Sequence, residues 1–197
     1  MPHIELNSEV PGIPGLFIYR PETARPLTDL ANVLMRGPST LTPGERELIA
    51  AYVSGRNDCR FCSLSHTAFA AAQLPGGTEL VEQVCADPAH APVSPKLRAL
   101  LAIAAAVQES GLKVTADDVA AARAAGATDV EIHDAVLIAA MFSMLNRYVD
   151  GLGTIAPENP ALYAMQAQDI IAHGYQVPVV GQPPAGGQPE ASSPQGS

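Results

Sequence analysis

The 197-residue sequence predicts an all-α protein, and three observations carry that prediction. Aromatic residues make up only 5% of the chain and tryptophan is absent, while alanine and leucine are abundant. That composition suits closely packed helices better than sheets. Apolar residues recur at helical spacing in successive segments, which open on Thr or Ser/Thr-Pro and close on Gly. No alternation of period two persists anywhere along the chain.

The elements follow in order. Residues 1–26 carry five prolines and read as an extended N-terminal arm. "LTDLANVLMRG" then reads as a short helix ending at Gly37. "LTPGERELIAAYVSG" opens on Thr-Pro with acidic residues in its first turn, and Leu48, Ile49, Tyr52 and Val53 form its apolar face. Asn57 or Asp58 is placed to cap the next helix, from about Cys59 to Gln73, which "LPGG" stops. "TELVEQVCAD" is helical up to Pro88. "VSPKLRALLAIAAAVQESG" repeats the Ser-Pro entry, and "TADDVAAARAAG" is a compact helix between Thr and Gly. "TDVEIHDAVLIAAMFSMLNRYVDGLG" reads as a buried helix of roughly twenty residues. "PENPALYAMQAQDIIAHG" supplies the last helix. Residues 27–176 thus form one helical domain. From 177 to 197 the chain is Pro, Gly, Gln and Ser with too little apolar content to order itself. The hydroxyl-Pro-x₂-Arg pattern around Arg46 returns near Arg98, a hint of two related helical halves.

Charge and cysteine content narrow the function classes. A net charge of −9 and a pI near 4.9 repel phosphate backbones, so nucleic acid is not an expected partner. No apolar run reaches the roughly 18 residues of a membrane span. The N-terminus lacks the basic start and apolar core of a signal peptide. Three cysteines are too few for a secreted disulfide framework, so a soluble cytoplasmic protein is expected. There a close cysteine pair points to catalysis or metal binding before a structural bridge.

That pair lies in "CRFCSLSH". On a helix Cys59, Cys62 and His66 fall within about 60° of one face. One turn of separation brings the two Cα atoms within the reach of a disulfide. Cys59 is expected in the first helical turn, where unpaired N–H groups lower a thiol's pKa. His66 is one turn beyond Cys62, within reach of its proton. Glu47, twelve residues before Cys59, is the candidate to orient His66, with Glu45 as its rival. Three readings stand at this point: a zinc site, which needs a fourth ligand; an inert buried pair; and a redox dithiol.

"ERELIAAYVSGRNDCRFCSLSH" resembles the signature of the AhpD-like alkylhydroperoxidases of the carboxymuconolactone decarboxylase-like superfamily: Glu, eleven residues, Cys-x-x-Cys, three residues, His. Glu47, Cys59, Cys62 and His66 match it, spacing included. "PGLFIYRP", "SPKLRALLAIA" and "NRYVDGLG" resemble the peroxidase-related branch, and the likeness runs from about residue 10 to 172. The resemblance implies an AhpD-like helical fold, a trimeric or hexameric homo-oligomer, and thiol-based hydroperoxide reduction without haem, flavin or metal. It implies that Cys62 is the peroxidatic thiol, that Cys59 resolves its sulfenic acid, that His66 accepts the proton and that Glu47 completes the relay. The best-known members carry a second histidine just before the second cysteine, where this chain has Phe61. No Gly-rich strand-to-helix turn for NAD(P)H or flavin is present, so electrons are expected from a partner dithiol of thioredoxin or lipoyl type. A general disulfide oxidoreductase, a redox sensor and a lactone decarboxylase are the competing functions.

The remaining candidates have plainer readings. Phe61, Leu64 and Phe69 read as core or interface, and Cys85 as packing near a helix end. His133 reads as surface or structural, and His3, His90 and His173 carry no pattern. Asn146, Arg147 and Tyr148 read as the C-terminal cap of the long helix, with a place in the thiol cleft as the alternative.

Overall fold

The computed structural model describes residues 2–177. Its helices are α1 (Gly12–Tyr19), α2 (Pro21–Ala31), α3 (Pro43–Arg56), α4 (Arg60–Ala71), α5 (Gly77–Ala86), α6 (Pro95–Glu109), α7 (Ala116–Ala124), α8 (Asp129–Gly151) and α9 (Pro160–His173). A π-helical stretch, Asn32–Arg36, continues α2, and a 3₁₀ turn, Gly111–Lys113, follows α6. The described residues contain no strand, so the all-α class holds. No helix among them is long and apolar enough to cross a membrane.

The helix entries follow the sequence signals. Thr42, Thr115 and Thr128 each accept from the N–H three residues on, and Glu45, Asp118 and Glu131 bond back to complete capping boxes. Ser94 caps α6 ahead of Pro95. Arg46 and Arg98 make parallel contacts: each donates to two carbonyls of the segment preceding its own helix, Leu34 and Gly37 for Arg46 and Ala91 and Val93 for Arg98.

The arm reads differently in the structure. Residues 12–19 and 21–31 are helical rather than extended. Pro21 sits in the first turn of α2, where no N–H is needed, and Pro26 is accommodated inside the helix. Counting prolines missed this, because proline position decides its effect. The segment 177–197 predicted as a tail lies, beyond Val177, outside the described residues.

α3 is the central element. It packs on α4, α8, α6 and α5, and ten of its fourteen residues are buried. Leu48, Ile49 and Val53 are fully buried in one core with Leu100, Leu101 and Ile138. Each such side chain contributes about 1.5–3 kcal/mol of burial. A second, smaller cluster joins Leu16, Cys59, Phe61, Cys62, Val149 and Tyr163. It sits where α1, α4, α8 and the start of α9 meet, and it holds the cysteine pair.

Candidate active site

The turn from α3 to α4 positions the cysteines. Asp58 adopts φ +57°, the one positive φ on a non-glycine residue among the described residues. Aspartate tolerates that left-handed region better than most side chains. The turn closes with Asn57, Asp58 and Cys59 N–H groups donating to Val53, Gly55 and Ser54 carbonyls. Cys59 is therefore the N-cap of α4, not Asn57 or Asp58, and it stands one position before the first helical turn. The Asn57 amide is drawn away to α8, where it donates to Asn146 Oδ1 at 2.9 Å.

The two thiols are unequal, and in the opposite sense to the helix-dipole expectation for Cys59. The hydrogen bond that Cys59 donates to Cys62 pushes the Cys59 pKa far up, and burial adds to this. The same bond lowers the pKa of Cys62; burial opposes, and the Asn146 amide helps. Asp150 works against the thiolate at both sites. The Cys62 backbone N–H, in the first turn of α4, acts in the opposite sense on Cys59 and lowers its pKa, but it does not offset the larger causes.

His66 lies one turn further along α4. Its Nδ1 is 2.7 Å from Glu47 Oε2. Glu47 has no exposure at all and His66 is 7% exposed. The other carboxylate oxygen, Oε1, accepts from the Tyr175 hydroxyl at 2.7 Å. Phe142 and Phe69 hold the imidazole edge-on at centroid distances of 4.4 and 5.1 Å. The rival Glu45 is spent in the α3 capping box, where Thr42 N–H donates to it at 2.8 Å.

A cavity of about 880 Å³ opens onto this group. Cys62, His66 and Tyr175 line it; Cys59 and Glu47 do not. Its apolar walls include Phe17, Phe61, Phe69, Phe142 and Leu145, and Gln166, Asp169 and His173 of α9 contribute polar lining. Cys62 thus faces the cavity with Cys59 behind it. Among the described residues no three His, Cys, Asp or Glu side chains converge on a metal-sized point.

With this geometry in place, the comparisons with known proteins become specific. Residues 21–74, which span α2 to the end of α4, match the model of the carboxymuconolactone decarboxylase family. The structure is similar to that of an uncharacterized peroxidase-related protein from Silicibacter sp. TM1040, with TM-score 0.71, 29% identity, and coverage of 80% of this chain and 81% of that one. It is also similar to an alkylhydroperoxidase AhpD core, an uncharacterized peroxidase-related protein from Ralstonia eutropha JMP134, with TM-score 0.70, 27% identity and coverage of 81% and 82%. The chain is thus similar to the AhpD-like proteins of the carboxymuconolactone decarboxylase superfamily. No curated protein matches its sequence.

Phe61, where the best-known relatives carry a second histidine, has a packing role here. Its ring lies over Gly12 of α1 and tilts against Tyr163 at 6.1 Å. A Cβ on Gly12 would come within 2.1 Å of the ring, and Gly12 also has φ +68°. Glycine is required there on both counts. Phe69 is likewise buried, whereas Leu64 is 37% exposed.

Other sequence readings change. Asn146 does not cap α8, which runs on to Gly151. It is 1% exposed and donates to Ser54 Oγ at 3.1 Å, in the polar cluster under Cys62. Arg147 donates to the Ser143 carbonyl within the same helix. His173, which showed no pattern, lines the cavity beside Asp169. Cys85 on α5 and His133 on α8 are exposed and stand apart from the cavity. Tyr175 was missed altogether. It follows the last helix with no spacing that ties it to Glu47, 128 positions away.

Proposed function

We propose that the protein reduces organic hydroperoxides with Cys62 as the attacking thiol, Cys59 as the resolving thiol and the His66–Glu47 pair as the proton relay. The observation that carries this reading is the asymmetry of the dithiol. Cys62 faces the cavity with its pKa lowered, and Cys59 lies behind it with its proton held.

The steps balance. The Cys62 thiolate attacks the distal oxygen of R–O–O–H, and the O–O bond breaks. A proton delivered through His66 leaves with the alkoxide as R–OH, and Cys62 becomes a sulfenic acid. The Cys59 thiol displaces water from that sulfenic acid and forms the Cys59–Cys62 disulfide. An external dithiol reduces the disulfide by exchange and becomes oxidised in turn. Thioredoxin- and lipoyl-type dithiols are the donor classes that fit a cytoplasmic protein, and a trimeric or hexameric homo-oligomer is the assembly its relationship suggests. The apolar, roughly 880 Å³ cavity favours an organic R group over hydrogen peroxide.

The dithiol also suits a general disulfide oxidoreductase, which would share Cys62 and need no peroxide. Lactone decarboxylation needs no dithiol. The deciding experiment adds cumene hydroperoxide to the reduced protein and follows peroxide loss and thiol loss in wild type, Cys62→Ser and His66→Gln. Consumption is expected in wild type, to vanish in Cys62→Ser and to slow in His66→Gln. Consumption that survives Cys62→Ser overturns the mechanism, and thiol exchange with added disulfides but no peroxide loss selects the oxidoreductase.

A further inference from the structure

We propose that Tyr175 is a positioning residue for the thiol centre, acting through Glu47 and held in place by Asn32. The inference deepens the hydroperoxidase reading and rests on it for the peroxide rate alone.

The buried Glu47 carboxylate has two partners, one on each oxygen. Oε2 meets His66 Nδ1 and Oε1 accepts from Tyr175 Oη, both at 2.7 Å. Arg46, its neighbour on α3, turns its guanidinium to the Leu34 and Gly37 carbonyls and does not bond to it. Burial pushes the Tyr175 phenol well up, and the adjacent Glu47 adds to this, so the phenol stays a donor through the working pH range. A donor fixed on Oε1 holds the carboxylate in one rotamer. That leaves Oε2 to accept the Nδ1 proton of His66, and the imidazole keeps an Nε2 lone pair free for a proton from the thiol side. Tyr175 thereby selects the histidine tautomer that can act as a base. The charged groups around this set are Arg46 of α3, which interacts with Glu47 through space without a hydrogen bond, Arg36 of the π-helical stretch, Asp150 of α8, and Asp169 and His173 of α9.

Three further features hold Tyr175 there. Asn32 pairs with its backbone on both sides: the Tyr175 N–H donates to Asn32 Oδ1 at 2.8 Å, and Asn32 Nδ2 donates to the Tyr175 carbonyl at 2.7 Å. Asn32 opens the π-helical stretch, a wide turn of the kind found at functional sites. Gly174 ends α9 at φ +72°, and a Cβ there would lie 2.7 Å from Asn32 Oδ1. Arg36, four residues on, donates to the Ile171 carbonyl at 3.0 Å and ties the last turn of α9 to the same stretch. A lone tyrosine packed for stability needs none of this two-sided clamp.

The test compares wild type, Tyr175→Phe, Asn32→Ala and, as a control for loss of a buried phenol elsewhere, Tyr163→Phe. Peptide-resolved alkylation of Cys62 by iodoacetamide is followed against pH, beside the second-order rate with cumene hydroperoxide. Tyr175→Phe is expected to raise the pH midpoint of Cys62 alkylation and to slow the peroxide reaction by about 10- to 100-fold, the effect of one hydrogen bond to a charged group. Asn32→Ala is expected to shift both in the same direction by less, and Tyr163→Phe to shift neither. An unchanged midpoint in folded Tyr175→Phe overturns the proposal, as does a shift of equal size in Tyr163→Phe. If wild type consumes no peroxide the hydroperoxidase reading fails, and the alkylation profile still decides the role of Tyr175.

Discussion

Glu47 Oε2 and His66 Nδ1 meet at 2.7 Å, with the carboxylate side chain fully buried and the imidazole side chain 8% exposed. The pair bridges α3 and α4, the two helices joined by the turn that also places Cys59. Buried groups of this kind keep their geometry because each polar atom would lose a partner on moving. Glu47→Gln preserves the shape but removes the charge that supports a protonated His66. It is expected to slow peroxide consumption by about 10²-fold, within the range of a general acid–base contribution. Steady-state rates in folded protein, checked by circular dichroism, measure this.

Cys59 is expected to act on Cys62 before any peroxide arrives. Its hydrogen bond is the largest cause of the lowered Cys62 pKa. Cys59→Ala removes the donor and should raise the pH midpoint of Cys62 alkylation, whereas Cys59→Ser keeps a hydroxyl donor and should raise it less. Asn146→Ala should raise it as well, since the amide is the second favourable group. A midpoint lower in Cys59→Ala than in wild type contradicts the assignment of the two thiols.

Gly12→Ala should destabilise the protein by about 1–3 kcal/mol, the cost of overpacking. The added methyl meets the Phe61 ring at a backbone angle that disfavours any side chain. The melting temperature should fall by about 2–4 °C per kcal/mol. Pairing it with Phe61→Leu should recover part of the loss, because the ring is the obstacle.

Glu131 gives a pH signature of stability far from the thiols. Burial opposes its ionisation, but the Lys96 ammonium, the Thr128 N–H and the Thr40 hydroxyl outweigh that and hold its pKa down to about 2. A carboxylate whose folded pKa is depressed contributes stability above its unfolded value, and loses it as pH falls toward the folded one. Denaturation should therefore show a Glu131-dependent loss between about pH 4.3 and 2, absent in Glu131→Gln. Above pH 5 the variant should be less stable than wild type, with Cys62 alkylation unchanged.

The sequence by itself determined the helical class and most helix boundaries, and it proposed Glu47, Cys59, Cys62 and His66 as the site. Those rest on local causes: Thr and Ser caps, Gly stops, and the one-turn spacing from Cys59 to Cys62 and His66. It also singled out Glu47 over Glu45, by spacing alone. It misjudged the N-terminal arm, since a proline in the first turn of a helix and one in an extended segment look alike in a count. Its helix-dipole argument favoured a thiolate at Cys59 while the family resemblance assigned the attack to Cys62, because a dipole argument sees the turn but not which sulfur donates to the other. Tertiary structure decided what depends on contacts between distant residues. Gly12 beneath the Phe61 ring, Asn146 behind Cys62 and Tyr175 on Glu47 join positions 49, 84 and 128 apart, and no local periodicity encodes such meetings. They arise only when the apolar faces of α1, α3, α4, α8 and α9 pack together and bring buried polar groups such as the Glu47 carboxylate and the Asn146 amide against partners distant in the chain.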